Sequence, residues 1–318
     1  MVSRVWVVWL AMGVFCGGAI IQVYADTACC EKQVPDGAKT SLIKKDRVKI
    51  AAGQVDLTAD RHEIVIDYID RAGSDGADMI VLPEYILDEF TLPHAPDSHV
   101  ARVAEAAKRN NIYVIIGGWE EFEKGAFLEK KKGMFSNTAL LFGRDGSIIG
   151  KYRKVHGAVG QPPHFWPAKP EGDLEWIMQE GNEFPVFDLD FGKVGIMICY
   201  DGYFPETANI LSLNGAEIVA WINGRQGSVE DFMVRSDMYR NYIAMVVTNL
   251  GPGQGTMIGT WPERILARVD QTGSHYIVAE IDLKDLRFRR ANSRVHHQKK
   301  PQIYTPITET RKIWEAYE

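Results

Sequence analysis

From residue 47 onward, short apolar runs alternate with segments whose apolar residues recur every three or four positions. Residues 48–52 and 79–82 are runs of strand length, and the second stops at Pro83, which cannot continue a central ladder. Between them, residues 60–72 carry Ile64, Val65, Tyr68, Ile69 and Ala72 at helical spacing, with Asp60 and Glu63 placed for a capping box. A second amphipathic helix is predicted over 98–108 through Val100, Val103, Ala104 and Ala107. A strand over 112–116 follows, ended by Gly117-Gly118. Residues 138–142 and 147–151 flank Gly143-Arg144-Asp145-Gly146 and predict a hairpin.

Residues 156–183 show no period and are rich in Pro, Gly and Trp; a loop of that length inside a compact domain is usually functional or disordered. Strands are predicted again over 184–189 and 193–199, then over 218–222, 245–249, 264–269 and 276–282. Helices are predicted over 204–213 and 229–243. Neither a repeat nor a dividing linker is present, so residues 47–285 read as one α/β domain. Residues 286–318 form a basic, then proline-punctuated tail expected to wrap the domain surface or a neighbour.

The N-terminus follows another pattern. Arg4 precedes an uncharged, largely apolar stretch of 17 residues from Val5 to Ile21, and small residues at Val23 and Ala25 sit where a signal peptidase reads them. This predicts a signal peptide over 1–25, a flexible segment over 26–46, and export as a secreted or periplasmic protein. As a helix the apolar stretch would span about 25 Å, short of the ~30 Å hydrocarbon core. An uncleaved membrane anchor is the alternative. Cys16 leaves with the signal, and Cys29 and Cys30 are adjacent in a polar stretch, so no disulfide framework is implied. A net charge of −6 disfavours nucleic acid as a partner.

In three places a reactive side chain ends an apolar strand. Glu84 follows Ile80-Val81-Leu82-Pro83; Lys154 closes Lys151-Tyr152-Arg153-Lys154 at the mouth of the long loop; Cys199 ends Val194-Gly195-Ile196-Met197-Ile198 at a turn before a helix. The last has the form of a nucleophile elbow. Singly, each has an ordinary explanation as a surface charge or a buried inert thiol. Elsewhere the chemistry is weaker. His296-His297 lie in the basic tail without nearby cysteines or paired acids, which predicts no metal site, and Gly251-Pro252-Gly253-Gln254-Gly255 does not open a helix as a phosphate cradle does.

Together, Pro83-Glu84, Tyr152-Arg153-Lys154-Val155-His156 and Ile198-Cys199-Tyr200-Asp201 with Phe204-Pro205-Glu206 resemble the signatures of the nitrilase superfamily of carbon–nitrogen hydrolases, in the same chain order. The resemblance covers about residues 47–282. It implies a four-layer α-β-β-α sandwich, a homodimer or higher homo-oligomer, and a Glu84–Lys154–Cys199 triad that works without cofactor. It also implies a second glutamate beside the lysine, Glu175, with Glu171 the alternative.

The residue types suit that chemistry. A thiol with a pKa of about 8.5 needs a base or a nearby cation at neutral pH. Lys154 and the backbone N–H of Tyr200 can stabilise an oxyanion, and Glu84 can carry the proton. Tyr200-Asp201 after the cysteine is similar to the amidase and carbamoylase branches, which implies a small-molecule amide or carbamoyl substrate. Gly202-Tyr203 stand where many carbamoylases have arginines, leaving Arg225 to hold any substrate carboxylate, while Phe165, Trp166 and Trp176 suggest an apolar acyl portion. An N-acyltransferase on the same triad and a catalytically silent member are the other readings. Mass spectrometry of the protein from its native host is expected to find a mature chain beginning at Asp26; a retained Met1 with membrane fractionation would establish the anchor instead.

Overall fold

Alternation along the strands decides what each face buries. The structure is a computed structural model that describes residues 44–159, 173–313 and 315; the expected signal peptide, most of the flexible segment, Phe165, Trp166 and Glu171 lie outside them. In β1 (Arg47–Gln54), Val48, Ile50 and Ala52 enter one core while Ala51 enters another. The following strands are β2 (Met79–Val81), β3 (Glu89–Thr91), β4 (Tyr113–Glu121), β5 (Phe135–Phe142) and β6 (Ile148–Arg153). A second set comprises β7 (Val186–Asp188), β8 (Lys193–Ile198), β9 (Ile218–Ile222), β10 (Ala244–Thr248), β11 (Met257–Thr260) and β12 (Arg264–Arg268). The last strand, β13 (His275–Asp282), returns to pair antiparallel with β1.

The first sheet runs β13-β1-β2-β4-β5-β6 with β3 added to β4, and the second runs β12-β11-β10-β9-β8-β7. Their inner faces share one core, in which Ile50, Val81 and Ile115 of the first sheet pack with Ile196, Ile198 and Ile222 of the second. The outer face of the first sheet is covered by α1 (Arg61–Ser74) and α2 (His99–Asn110), whose Val65, Ile69, Val103 and Ala107 meet Ile80 and Val114. A short α3 (Leu174–Ile177) follows the long loop, and α4 (Pro205–Leu213) and α5 (Asp231–Asn241) cover the second sheet around Trp221 and Met245. The result is the expected α-β-β-α sandwich. Among the described residues, no helix is long and apolar enough to cross a membrane.

Local expectations fail in four places. Asp60 makes no side-chain cap on α1, and Glu63 is taken instead by Arg102 of α2 at 2.7 Å. Gly117-Gly118 do not end β4, which runs through them to Glu121. A Cβ on Gly117 would lie 2.9 Å from the Glu84 Cα and 2.8 Å from Ile222, so this glycine admits another segment's backbone rather than breaking the strand. Short strands β3 and β11 carry too little periodicity to be predicted. Finally, α6 (Leu283–Ala291) crosses the expected domain boundary at residue 285. Leu283 and Leu286 are buried, Arg287 pairs with Glu217 at 2.6 Å, and Arg290 donates to the carbonyls of Ser212, Ala216 and Tyr242. Those contacts make α6 part of the domain.

Candidate active site

Strand direction brings the reactive residues to one end of the sandwich. Strands β2 and β4 are parallel, and β5 is antiparallel to both β4 and β6, so β2 and β6 finish at the same edge. Glu84 and Lys154 leave the first sheet there. Strands β8, β9 and β10 are parallel, and Cys199 and Arg225 follow the carboxyl ends of β8 and β9, the usual place for a site in α/β sheets. Period-two alternation sorts the basic residues of β6. Lys151 and Arg153 turn to Glu120, at 2.6 and 2.9 Å, whereas Tyr152 and Lys154 are buried.

Lys154 is fully buried, and its Nζ donates to Glu84 Oε1 at 3.1 Å and to Glu175 Oε1 and Oε2 at 2.6 and 2.9 Å. Asn137 of β5 bridges the two carboxylates, donating to Glu84 at 2.6 Å and Glu175 at 3.1 Å. Glu175, on α3, also accepts from the Tyr85 hydroxyl at 2.6 Å and from the Ala158 N–H. Glu84 Oε2 is buried and has no hydrogen-bond partner among the described residues.

These environments separate the two acids. Burial dominates at Glu84 and raises its pKa; the Lys154 charge opposes it, and a smaller repulsion from Glu175 adds to the rise. Burial also acts on Glu175, but the Lys154 charge and the donors from Lys154, Tyr85 and Ala158 outweigh it and hold this carboxyl below its usual range. Lys154 is raised: burial opposes its charge, but Glu84 and Glu175 overcome it. The Cys199 thiol is pushed up to about 12, first by burial and then by Glu84, while Lys154 and Arg225 pull it down. A resting thiol of that kind holds its proton until a base removes it.

Cys199 has φ = +43°, a left-handed conformation at the head of the 3-10 turn Cys199–Tyr203. Asp201, fully buried, fixes that turn. Its Oδ2 accepts from the Ile198 N–H at 2.9 Å and the Tyr152 hydroxyl at 2.7 Å; its Oδ1 accepts from the His156 N–H at 3.0 Å and lies 2.8 Å from His156 Nδ1. Tyr152 and His156 flank Lys154, so one carboxylate ties the cysteine turn to the lysine strand. Trp221 donates to the Cys199 carbonyl at 2.9 Å from the other side. A Cβ on Gly202 would lie 2.1 Å from the Trp221 ring, so the packing of Trp221 requires glycine at this position, one of the two where many carbamoylases have arginines.

Comparison with known proteins identifies the family. The carbon–nitrogen hydrolase family model matches residues 49–291. The chain belongs to the carbon–nitrogen hydrolase family. It is 28% identical to nitrilase homolog 2 of Dictyostelium discoideum over 75% of each chain. It is 26% identical to the omega-amidase NIT2 of Homo sapiens, over 74% of this chain and 88% of that one. Its fold superposes on the carbon–nitrogen hydrolase of Helicobacter pylori G27 with a TM-score of 0.67 at 19% identity, covering 83% of this chain and 99% of the other.

Of the residues singled out in the sequence, the structure of this carbon–nitrogen hydrolase brings Glu84, Lys154 and Glu175 into direct contact, with Cys199 within their electrostatic reach. Arg225 reaches the Cys199–Tyr203 turn, its Nη2 3.5 Å from the Cys199 carbonyl. Its charge, however, is paired with Glu230, which also accepts from Tyr203 at 2.6 Å, and its guanidinium lies over the Trp221 and Tyr203 rings. Tyr200 is half-buried in the 3-10 turn with its ring against Tyr203 and Phe204. Trp176 is 41% exposed beside Glu175. Asn137, Tyr85 and Asp201 were not foreseen as supports; the only local hint was polar residues at 136–138 within an otherwise apolar run.

Asp201→Ala leaves a buried hydroxyl and two N–H groups without their acceptor, at a cost of roughly 2–5 kcal/mol. Asp201→Asn keeps the shape but turns an amide donor toward donors, and is expected to fall between Asp201→Ala and wild type. Urea unfolding of the two variants checks this, and stabilities within ~0.5 kcal/mol of wild type would show that the clamp carries no load.

Proposed function

We propose that this carbon–nitrogen hydrolase cleaves linear amides, or carbamoyl compounds, through a thioester on Cys199. The observation that carries the reading is the unpartnered Glu84 Oε2, buried beside Lys154 with its pKa raised, within electrostatic reach of a thiol that burial and Glu84 push up. Glu84 takes the Cys199 proton as the sulfur attacks the carbonyl carbon. Lys154 and the Tyr200 N–H receive the oxyanion. The proton passes to the leaving nitrogen, ammonia or an amine departs, and the acyl group stays on sulfur. Glu84 then takes a proton from water, which attacks the thioester and returns Cys199 to the thiol. The omega-amidase name of the human relative supports the amide class. Arg225 suits a carboxylate-bearing substrate only if that carboxylate displaces Glu230. Ammonia release in the absence of an added amine separates hydrolysis from acyl transfer to an amine.

Cys199→Ala is expected to abolish both turnover and the acyl adduct seen by intact-protein mass spectrometry after rapid mixing with an activated amide. Lys154→Ala should slow acylation by about a hundredfold to a thousandfold, the usual worth of a preorganised oxyanion donor. Glu84→Gln keeps the shape but carries no proton, and should slow acylation and deacylation together. Wild-type activity surviving in Cys199→Ala would remove the nucleophile and the mechanism with it.

We also propose a homodimer through α4 and α5, whose Ile210, Leu213, Phe232 and Tyr239 are exposed large apolar side chains on one outer layer. Light scattering is expected to give twice the chain mass, and Phe232→Glu with Tyr239→Glu to give the monomer. A monomeric wild type would refute the assembly.

A further inference from the structure

On the outer face of the first sheet, away from the inter-sheet core, three potential ligands converge. His62 is in the first turn of α1, His99 is the first residue of α2, and Asp88 lies on the turn that leads from Glu84 to β3. His62 Nε2 is 3.1 Å and His99 Nδ1 3.8 Å from the same Asp88 oxygen, Oδ2. All three ligand atoms lie within 4.8 Å of one another. The two imidazoles stack with ring centroids 3.3 Å apart and planes inclined by 24°. Ligands bound to one tetrahedral ion at ~2.0–2.1 Å stand about 3.3 Å apart, so binding draws the three atoms together and turns the two imidazoles out of their near-parallel stack until both ring planes contain the ion.

From this geometry we propose that His62, Asp88 and His99 form a zinc-class site, two imidazole nitrogens and one carboxylate oxygen around a divalent first-row ion. Two histidines and one carboxylate are borderline donors that suit Zn²⁺ over Ca²⁺ or Mg²⁺. A carbonyl, that of Ile86, lies 3.1 Å from His62 Nε2 and can supply a further oxygen to the ion. Arg61 donates to both Asp88 oxygens, at 2.6 and 2.8 Å. With Oδ2 on the ion, Arg61 stays on Oδ1 and orients the carboxylate, as outer partners of metal ligands do.

The position gives the ion a mechanical role. Tyr85 and Asp88 both have positive φ, +68° and +56°, without being glycine, so the turn from Glu84 to Asp88 is held in a conformation its residues do not prefer. Tyr85 reaches Glu175 and Glu84 reaches Lys154 from the same turn. An ion on Asp88 would fasten that turn to the first residues of both α1 and α2. It acts as a pin under the proposed active site and takes no part in bond cleavage.

The test uses the full chain stripped with chelator and titrated with Zn²⁺ by calorimetry and with Co²⁺ by visible absorption. Wild type and Cys199→Ser are expected to bind one ion per chain alike, without a thiolate-to-cobalt charge-transfer band, and Zn²⁺ should raise the thermal midpoint. His62→Ala and His99→Ala should each weaken binding at least ~100-fold and lose the thermal shift. His99→Gln, at a part-exposed helix start, serves if His62→Ala does not fold. Binding that survives the histidine variants, that disappears in Cys199→Ser, or that is absent from wild type overturns the site.

Discussion

The burial of the Lys154 ammonium is the constraint around which the site is arranged. An ammonium removed from water carries a desolvation penalty of several kcal/mol, and a single carboxylate rarely offsets it. Here two carboxylates surround it, each held in turn by Asn137. The four groups come from different elements: Glu84 follows β2, Asn137 is in β5, Lys154 follows β6 and Glu175 is on α3. Displacing any one leaves a buried charge or amide unpaired. The requirement therefore fixes the relative positions of half the first sheet and of the segment that returns from the long loop. Gly117 belongs to the same constraint, since only a missing Cβ lets β4 pass against the Glu84 backbone.

The cysteine is on the other sheet, and an apolar core alone would register the two sheets only loosely, because methyl contacts are not directional. Asp201 supplies the directional link. It binds the backbone of the strand that ends at Cys199 and, on the β6 exit, Tyr152 and His156, two residues to either side of Lys154. The left-handed conformation at Cys199 costs free energy for a residue with a Cβ, and persists because Asp201 on one side and Trp221 on the other over-determine the turn.

The parts of this arrangement legible in the sequence were those with a local signature. Apolar strands that stop at Glu84, Lys154 and Cys199 mark strand ends, and strand ends in such sheets converge. The strand and helix periods in turn gave an α/β domain, and its layering into α-β-β-α came from the family resemblance. Glu175 was reached only through family spacing, because a short helix after an aperiodic loop carries no period of its own. Asn137, Tyr85 and Asp201 act through partners distant in the chain, and a single sequence holds no trace of such pairings. The same reason hides the His62–Asp88–His99 cluster: its members sit on three elements and no spacing rule links them. Gly117-Gly118 misled because strand glycine reads equally well as a terminator or as an allowance for close approach, and only the neighbour across the sheet decides.

The two glutamates on Lys154 have the same side chain but opposite electrostatic tendencies, and the difference lies in how many donors each receives. Glu175 accepts from Lys154 through both oxygens and from Tyr85, Asn137 and Ala158, so its anion is well solvated by the protein. Glu84 accepts through one oxygen only. A proton entering this cluster therefore goes to Glu84, while Glu175 remains the fixed counter-ion of Lys154. That ordering has a consequence for the thiol. The ionised Glu84 is the largest charge raising the Cys199 pKa, and Lys154 the largest lowering it. Moving the proton from sulfur to Glu84 removes the repulsion and leaves the attraction, so the transfer stabilises its own product. A thiol near 12 in the resting site is thus compatible with thiolate attack, provided the acceptor is Glu84 and not bulk water.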